Sequence, residues 1–131
     1  MSILCPDEVV TLQSRFGNFQ DAVLRRIEHS FGIDEGGCCT VTMSVEDHRN
    51  EDGYSNVTLV VRGVTELAFR DQAATRQSLP DGLALRRLNG QWWVDFAPFC
   101  RETESADEMR LSDFYLTGSS LTWQVAPFSE E

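Results

Sequence analysis

LALRRLNGQWWVDFA, residues 83–97, consists of two alternating runs joined at Asn89-Gly90. Asn-Gly between hydrophobic runs is a strong hairpin signal, because both residues tolerate the positive φ of a type I′ turn. A two-residue loop then sets the register. Leu88 faces Gln91, Arg87 faces Trp92, Arg86 faces Trp93, Leu85 faces Val94, Ala84 faces Asp95 and Leu83 faces Phe96. Successive side chains point to opposite sides of a strand. One face therefore carries Leu83, Leu85, Trp92, Val94, Phe96 and the stem of Arg87, and reads as core. The other carries Ala84, Arg86, Leu88, Gln91, Trp93 and Asp95, and reads as mostly polar with one large aromatic.

Upstream of this hairpin, Asn56–Arg70 (NVTLVVRGVTELAFR) is the longest β signal in the chain. Val57, Leu59, Val61, Thr65, Leu67 and Phe69 share one face, and Val60, Arg62, Val64, Glu66 and Arg70 the other. Gly63, in the middle of the run, predicts a bulge or kink. Leu79-Pro80-Asp81-Gly82 is a turn, and Asp71–Ser78 a polar loop. Cys38–Glu46 alternates cleanly, with Cys39, Val41, Met43 and Val45 inward. Asp47–Ser55 is a charged connection. It carries oxygen ligands, but Arg49 stands at the second ligand position of a calcium loop, so a solvated hairpin connection is expected.

At the N-terminal end, Pro6-Asp7-Glu8 opens a short helix through VVTLQSRF, with Val9, Leu12 and Phe16 on one face and Gly17-Asn18 as its stop. Phe19–Phe31 is ambiguous. Phe19, Val23, Ile27 and Phe31 recur every four residues, which fits one helix face, and they also share a strand parity; periodicity alone favours helix. Sequential elements usually pair, so the strong strand that follows favours a strand here. Beyond the hairpin, Pro98 ends the sheet pattern. Arg101–Arg110 is acidic with a possible helical turn, and Asp113–Pro127 reads as a closing hairpin turning at Gly118-Ser119-Ser120. The expected fold is a single α+β domain, predominantly antiparallel β. It has one layered sheet system of about six or seven strands and a short N-terminal helix.

At 131 residues such a domain buries roughly two thirds of its unfolded surface and needs no staples. The formal charge is −10, from 21 acids against 11 bases, all of them arginine. That balance argues against nucleic acid, whose affinity comes from neutralised phosphates, and against an anionic membrane surface. It suits a basic protein partner, and equally plain solubility. The cysteines at 5, 38, 39 and 100 have no metal-ligand spacing and read as small buried hydrophobes of a reducing cytosol. MSILCPDE lacks the charged and apolar regions of a signal peptide, so a cytoplasmic protein is expected.

Signatures of catalysis are scarce. There is no G-x-G-x-x-G, P-loop, G-x-S-x-G or H-E-x-x-H, and the only histidines are His29 and His48. No catalytic residue, cofactor or metal is expected. The candidate contact patch is the hairpin's second face, with Trp93, Arg86 and Asp95 at its centre. Glu102, Glu104, Asp107 and Glu108 serve as rim charges. Trp93 opposite Arg86 invites a cation–π contact, and Trp and Arg dominate binding hot spots. An indole covered by a helix or a second sheet is the competing reading of Trp93.

FGNFQDAVLRRIEH (16–29), NVTLVVRGVTEL (56–67), LPDGLALRRLNGQWWVDF (79–96) and SSLTWQVAP (119–127) together resemble a broad group of small bacterial proteins. Some of that group look like immunity proteins of polymorphic toxin systems, which neutralise a partner toxin by binding it. The resemblance implies a β-rich fold, supports a strand at 20–31, and points to another protein, such as a basic toxin, as partner. An acidic secretion chaperone and a small enzyme or ligand-binding β domain are the alternatives. The oligomeric state is open.

Overall fold

The computed structural model describes residues 2–3, 8–31, 37–49, 53–69, 78–79, 82–96, 105–112 and 114–127. Its strands are β1 (Ser2–Ile3), β2 (Ala22–Ser30), β3 (Gly37–Glu46), β4 (Tyr54–Val64), β5 (Glu66–Phe69), β6 (Ser78–Leu79), β7 (Ala84–Leu88), β8 (Gln91–Asp95), β9 (Phe114–Gly118) and β10 (Ser120–Pro127). Two short helices, α1 (Val9–Arg15) and α2 (Ala106–Met109), accompany them. A six-stranded sheet runs β1-β10-β4-β3-β2-β6, and a four-stranded sheet runs β5-β9-β8-β7. The strand pairs are antiparallel. The chain is therefore mostly antiparallel β with a short N-terminal helix, as expected. No helix among the described residues is long and apolar enough to cross a membrane.

The hairpin at 83–97 forms in the expected register, from Ala84↔Asp95 to Leu88↔Gln91. Asn89 and Gly90 have φ of 53° and 78°, the pair of positive values a type I′ turn requires. Leu83, Leu85, Trp92, Val94 and Phe96 all enter the main core. There they meet Cys39, Val41, Met43 and Val45 of β3 and Val57, Leu59 and Val61 of β4. Leu12 of α1 and Phe16, which caps that helix, belong to this core. The helix stops at Gly17 and Asn18, both with positive φ, and the fully buried Phe19 is held at φ 59° as well. That costly conformation for a phenylalanine is offset by its burial and by the bond from Leu83 N–H to Asn18 O at 3.0 Å.

Strand β2 resolves the ambiguity at 19–31. Its pairing with β3 shifts between Leu24 and Arg26, so one extra residue is accommodated there. The shift brings both Leu24 and Ile27 to the core side, three residues apart. Phe31, expected on the core face, is 88% exposed.

The last strands require a correction. Phe114–Pro127 is not a hairpin: β9 lies in the four-stranded sheet and β10 in the six-stranded one. Ser119 between them is a corner, not a turn. β4 and β5 make the matching bend, so two long strands run side by side through both sheets. Gly63 sits at this corner with φ 65°, and a Cβ there would lie 2.2 Å from Ser119 Oγ. A Cβ on Gly118 would lie 2.5 Å from Val61 Cγ1 and 2.7 Å from Arg62 O. Past the bend the simple alternation of 56–70 fails: Val64, assigned to the outer face, packs against the core.

Gly118→Ala should therefore destabilise the protein by about 2–3 kcal/mol, because backbone as well as side chain must yield. Gly90→Ala meets nothing within 4 Å and should cost only the left-handed penalty of about 1–2 kcal/mol. Urea unfolding of the two variants checks the order.

Candidate functional site

The second face of the β7–β8 hairpin is covered. Trp93 is only 3% exposed, packed with Met109 of α2 and Tyr115 of β9. Ala68, Leu88 and Ala106 complete this smaller cluster. The expectation of Trp93 as an accessible contact residue is thereby corrected. Four residues of helix suffice, because Met109 drops its whole side chain onto the indole.

Polar contacts lock α2 in place. Ser105 caps it, accepting from Glu108 N–H at 3.2 Å, in the S-x-x-E pattern of a capping box. Arg110 lies over the Trp93 ring at 5.3 Å and reaches Glu66 of β5 with two bonds, 2.9 Å from Nε and 2.8 Å from Nη2. Its Nη1 also meets Asp107 at 3.1 Å. The cation over Trp93 is thus Arg110, where Arg86 was expected. Arg86 is the cross-strand neighbour of Trp93 and donates to Leu85 O. The Arg110 bonds hold the Glu66 carboxyl below its ordinary range against the opposing effect of burial, with help from the Tyr115 hydroxyl. Asp95 is buried and accepts from Ser112 Oγ, which ties β8 to the segment after α2. Trp93 therefore lies beneath α2, Asp95 is tied to the segment that follows it, and Arg86 is a half-buried neighbour on β7.

The rim charges divide. Asp107 and Glu108 are exposed on α2, while Glu102 and Glu104 lie outside the described residues. Leu111, which the sequence reading passed over, follows directly and is 64% exposed. Its amide donates to Glu108 O at 3.1 Å, so the backbone beneath it is fixed. The available signals were the Ser105-to-Glu108 spacing and an apolar residue just after the helix.

A second polar centre joins α1 to the β3–β4 connection. Asp47 is buried and takes two parallel bonds from Arg15, 2.9 and 3.0 Å, plus Ser55 Oγ at 2.7 Å and Arg49 N–H at 3.0 Å. Arg15 in particular, then Arg49 and Ser55, bring its carboxyl down to about 2, against burial, which raises it. Asp47 was read as part of a solvated loop and is in fact an anchor. A recess of about 190 Å³ adjoins it, lined by Glu8, Thr11, Leu12, Arg15, Arg49 and Trp123. Trp123 Nε1 is buried with no hydrogen-bond partner among the described residues. Ligand pockets usually run to about 300 Å³ or more, so this recess is small for an organic substrate.

Chemistry-bearing side chains are dispersed. No group of three His, Cys, Asp or Glu is placed to hold a metal ion among the described residues. Cys38 and Cys39 are free thiols. Burial, then the neighbouring Cys38, pushes the Cys39 thiol up to about 11, which leaves it protonated and unreactive at neutral pH. His29 is exposed, its ring 4.7 Å from that of Phe31. Cys5 and Cys100 lie outside the described residues. Comparison with protein-family models, with curated proteins and with solved structures gave no match.

Trp93→Ala should cost about 3–5 kcal/mol of stability, as expected for an emptied aromatic site, and release α2. Urea unfolding and exchange of the 105–112 amides read both effects. Asp47 has its own pH signature. Its folded value lies below its unfolded one, so its stabilisation is complete above pH of about 4 and is lost as pH falls through about 2. Between those limits the native chain should lose about 2 kcal/mol more than Asp47→Asn, by urea unfolding at each pH.

Proposed function

We propose that this chain is a non-catalytic cytoplasmic protein-binding domain of the immunity type. Its partner is a basic protein, a toxin in the sense of the resemblance. The observation that carries this reading is Leu111: a large apolar side chain, 64% exposed, beside Asp107 and Glu108 on a braced helix. An apolar anchor with a charged rim is the usual anatomy of a contact surface. Bracing by Arg110, Glu66 and Ser105 favours binding, because little conformational freedom is left to lose. The charge of −10 would steer a basic partner toward it, in a salt-dependent way. Trp93 and Asp95 support this surface from below, through Met109 and Ser112.

The two alternatives fit less well. A secretion chaperone of the expected kind carries a C-terminal amphipathic helix, whereas 114–118 and 120–127 are strands. The recess of about 190 Å³ beside Trp123 is small for the organic ligand that a ligand-binding domain would hold.

Affinity capture from the source cell, with the native chain as bait, tests the reading. A basic protein should be retained at low salt and released by about 0.5 M salt, where screening is nearly complete. Leu111→Asp combined with Asp107→Lys and Glu108→Lys should weaken its binding at least about tenfold, by titration with the purified partner. Equal affinity for the native chain and this variant would contradict the proposal.

A further inference from the structure

The tip of the β7–β8 hairpin is Asn89-Gly90, an asparagine amide followed by a residue with no side chain. Both residues are exposed. Neither the Asn89 side chain nor the Gly90 amide makes a hydrogen bond among the described residues. A Cβ built on Gly90 meets nothing within 4 Å among them, so the tip is open on that side as well. The other asparagines are followed by larger residues: Asn18 by Phe19, Asn50 by Glu51 and Asn56 by Val57. Phe19 and Val57 are also fully buried.

We propose that Asn89 is a site of spontaneous covalent modification, converted by water to aspartate and isoaspartate. Hydroxide takes the proton of the Gly90 amide, and the nitrogen attacks Asn89 Cγ. The N–Cγ bond forms and the Cγ–Nδ2 bond breaks. Nδ2 leaves as ammonia with a proton from water, which returns the hydroxide. A closed five-membered imide remains, and one water opens it. Cleavage of the N–Cγ bond leaves aspartate. Cleavage at the main-chain carbonyl leaves isoaspartate, with the chain running through Cβ and Cγ. Either way one water is consumed and one ammonia released, and nothing is oxidised or reduced.

Two features of the site favour this chemistry. Gly90 sets no Cβ beside the attacking nitrogen and rotates freely. Ring closure takes Asn89 out of its turn conformation, and an exposed tip without bonds of its own opens at small cost. Asn89 is held at φ 53°, a left-handed conformation that costs energy for a residue with a side chain.

The two products differ in their effect on the fold. Asp-Gly supports the same turn, so the aspartate form keeps the hairpin and adds one negative charge. Isoaspartate adds one atom to the main chain of a two-residue loop, and loop length fixes the register. Leu88↔Gln91 is the first pair below the tip. Gln91 Oε1 lies 3.2 Å from Thr117 Oγ1 and 3.3 Å from Thr65 Oγ1, beside the corner of the two sheets. Displacing Gln91 therefore disturbs the hairpin and the corner together. Neither Asn89 nor Gly90 belongs to the surface at Asp107–Leu111.

Incubation of the native full chain in mildly alkaline buffer over several weeks, followed by cleavage at arginine and mass spectrometry, tests the proposal. Fragment 88–101 should gain the mass difference between an amide and an acid, in two chromatographically distinct forms, and faster as pH is raised. Asn89 should convert at least about tenfold faster than Asn18 or Asn56. Asn89→Gly keeps the turn type, so it should fold and show no such gain in this fragment. Asn89→Asp supplies the aspartate form and should unfold in urea like the native chain. The isolated isoaspartate form should unfold at lower urea and exchange its β7 and β8 amides faster. A fragment that stays unchanged in the native chain would overturn the proposal. So would equal rates at the three asparagines, or an isoaspartate form as stable as the native one.

Discussion

The close approach at the corner of the two sheets is the constraint on which the rest depends. Gly118 lies against Val61 and the Arg62 carbonyl, and Gly63 against Ser119, so the backbones of two long strands touch where both bend. Ser119 N–H bonds to Arg62 O at 2.9 Å, and Thr65 N–H to Thr117 O at 3.1 Å, so pairing continues on both sides of the bend. Because β4–β5 and β9–β10 belong to both sheets, each sheet orients the other. Trp92 stands opposite Gly118 and enters the core.

The placement of α2 follows from that arrangement. Bending places β9 between β5 and β8, and this puts Glu66, Tyr115 and Trp93 on one face. The α2 segment then closes over them. Magnitudes assign the roles: the Glu66–Arg110 pair is partly exposed and worth about 1 kcal/mol or less, whereas emptying the Trp93 site costs several times that. Burial of the indole holds the helix down, and the ion pair fixes its orientation. The acidic, leucine-bearing outer surface is thus set on a rigid base.

Much of this was legible in the chain. Asn89-Gly90 gave the hairpin its register to the residue, and the alternation in 38–46 named its inward side chains correctly. The misread places share a cause: each depends on a non-local contact. Gly118-Ser119-Ser120 has turn composition, and only the opposing bend at Gly63 makes it a corner. Trp93 has a polar local neighbourhood, and what covers it comes from Met109 and Tyr115, distant in sequence. Asp47 sits in a run of charges that looks solvated, and its partner Arg15 lies on another element. The capping box at Ser105–Glu108 was readable and would have marked α2.

If two strands truly pass through both sheets, the sheets cannot unfold separately. Native-state hydrogen exchange across a denaturant series tests this directly. The slowest amides of β3 and β4 and those of β8 and β9 should converge on one free energy, equal to that of global unfolding. A four-stranded sheet that opens at a distinctly lower free energy, while β3 and β4 stay protected, would contradict the account.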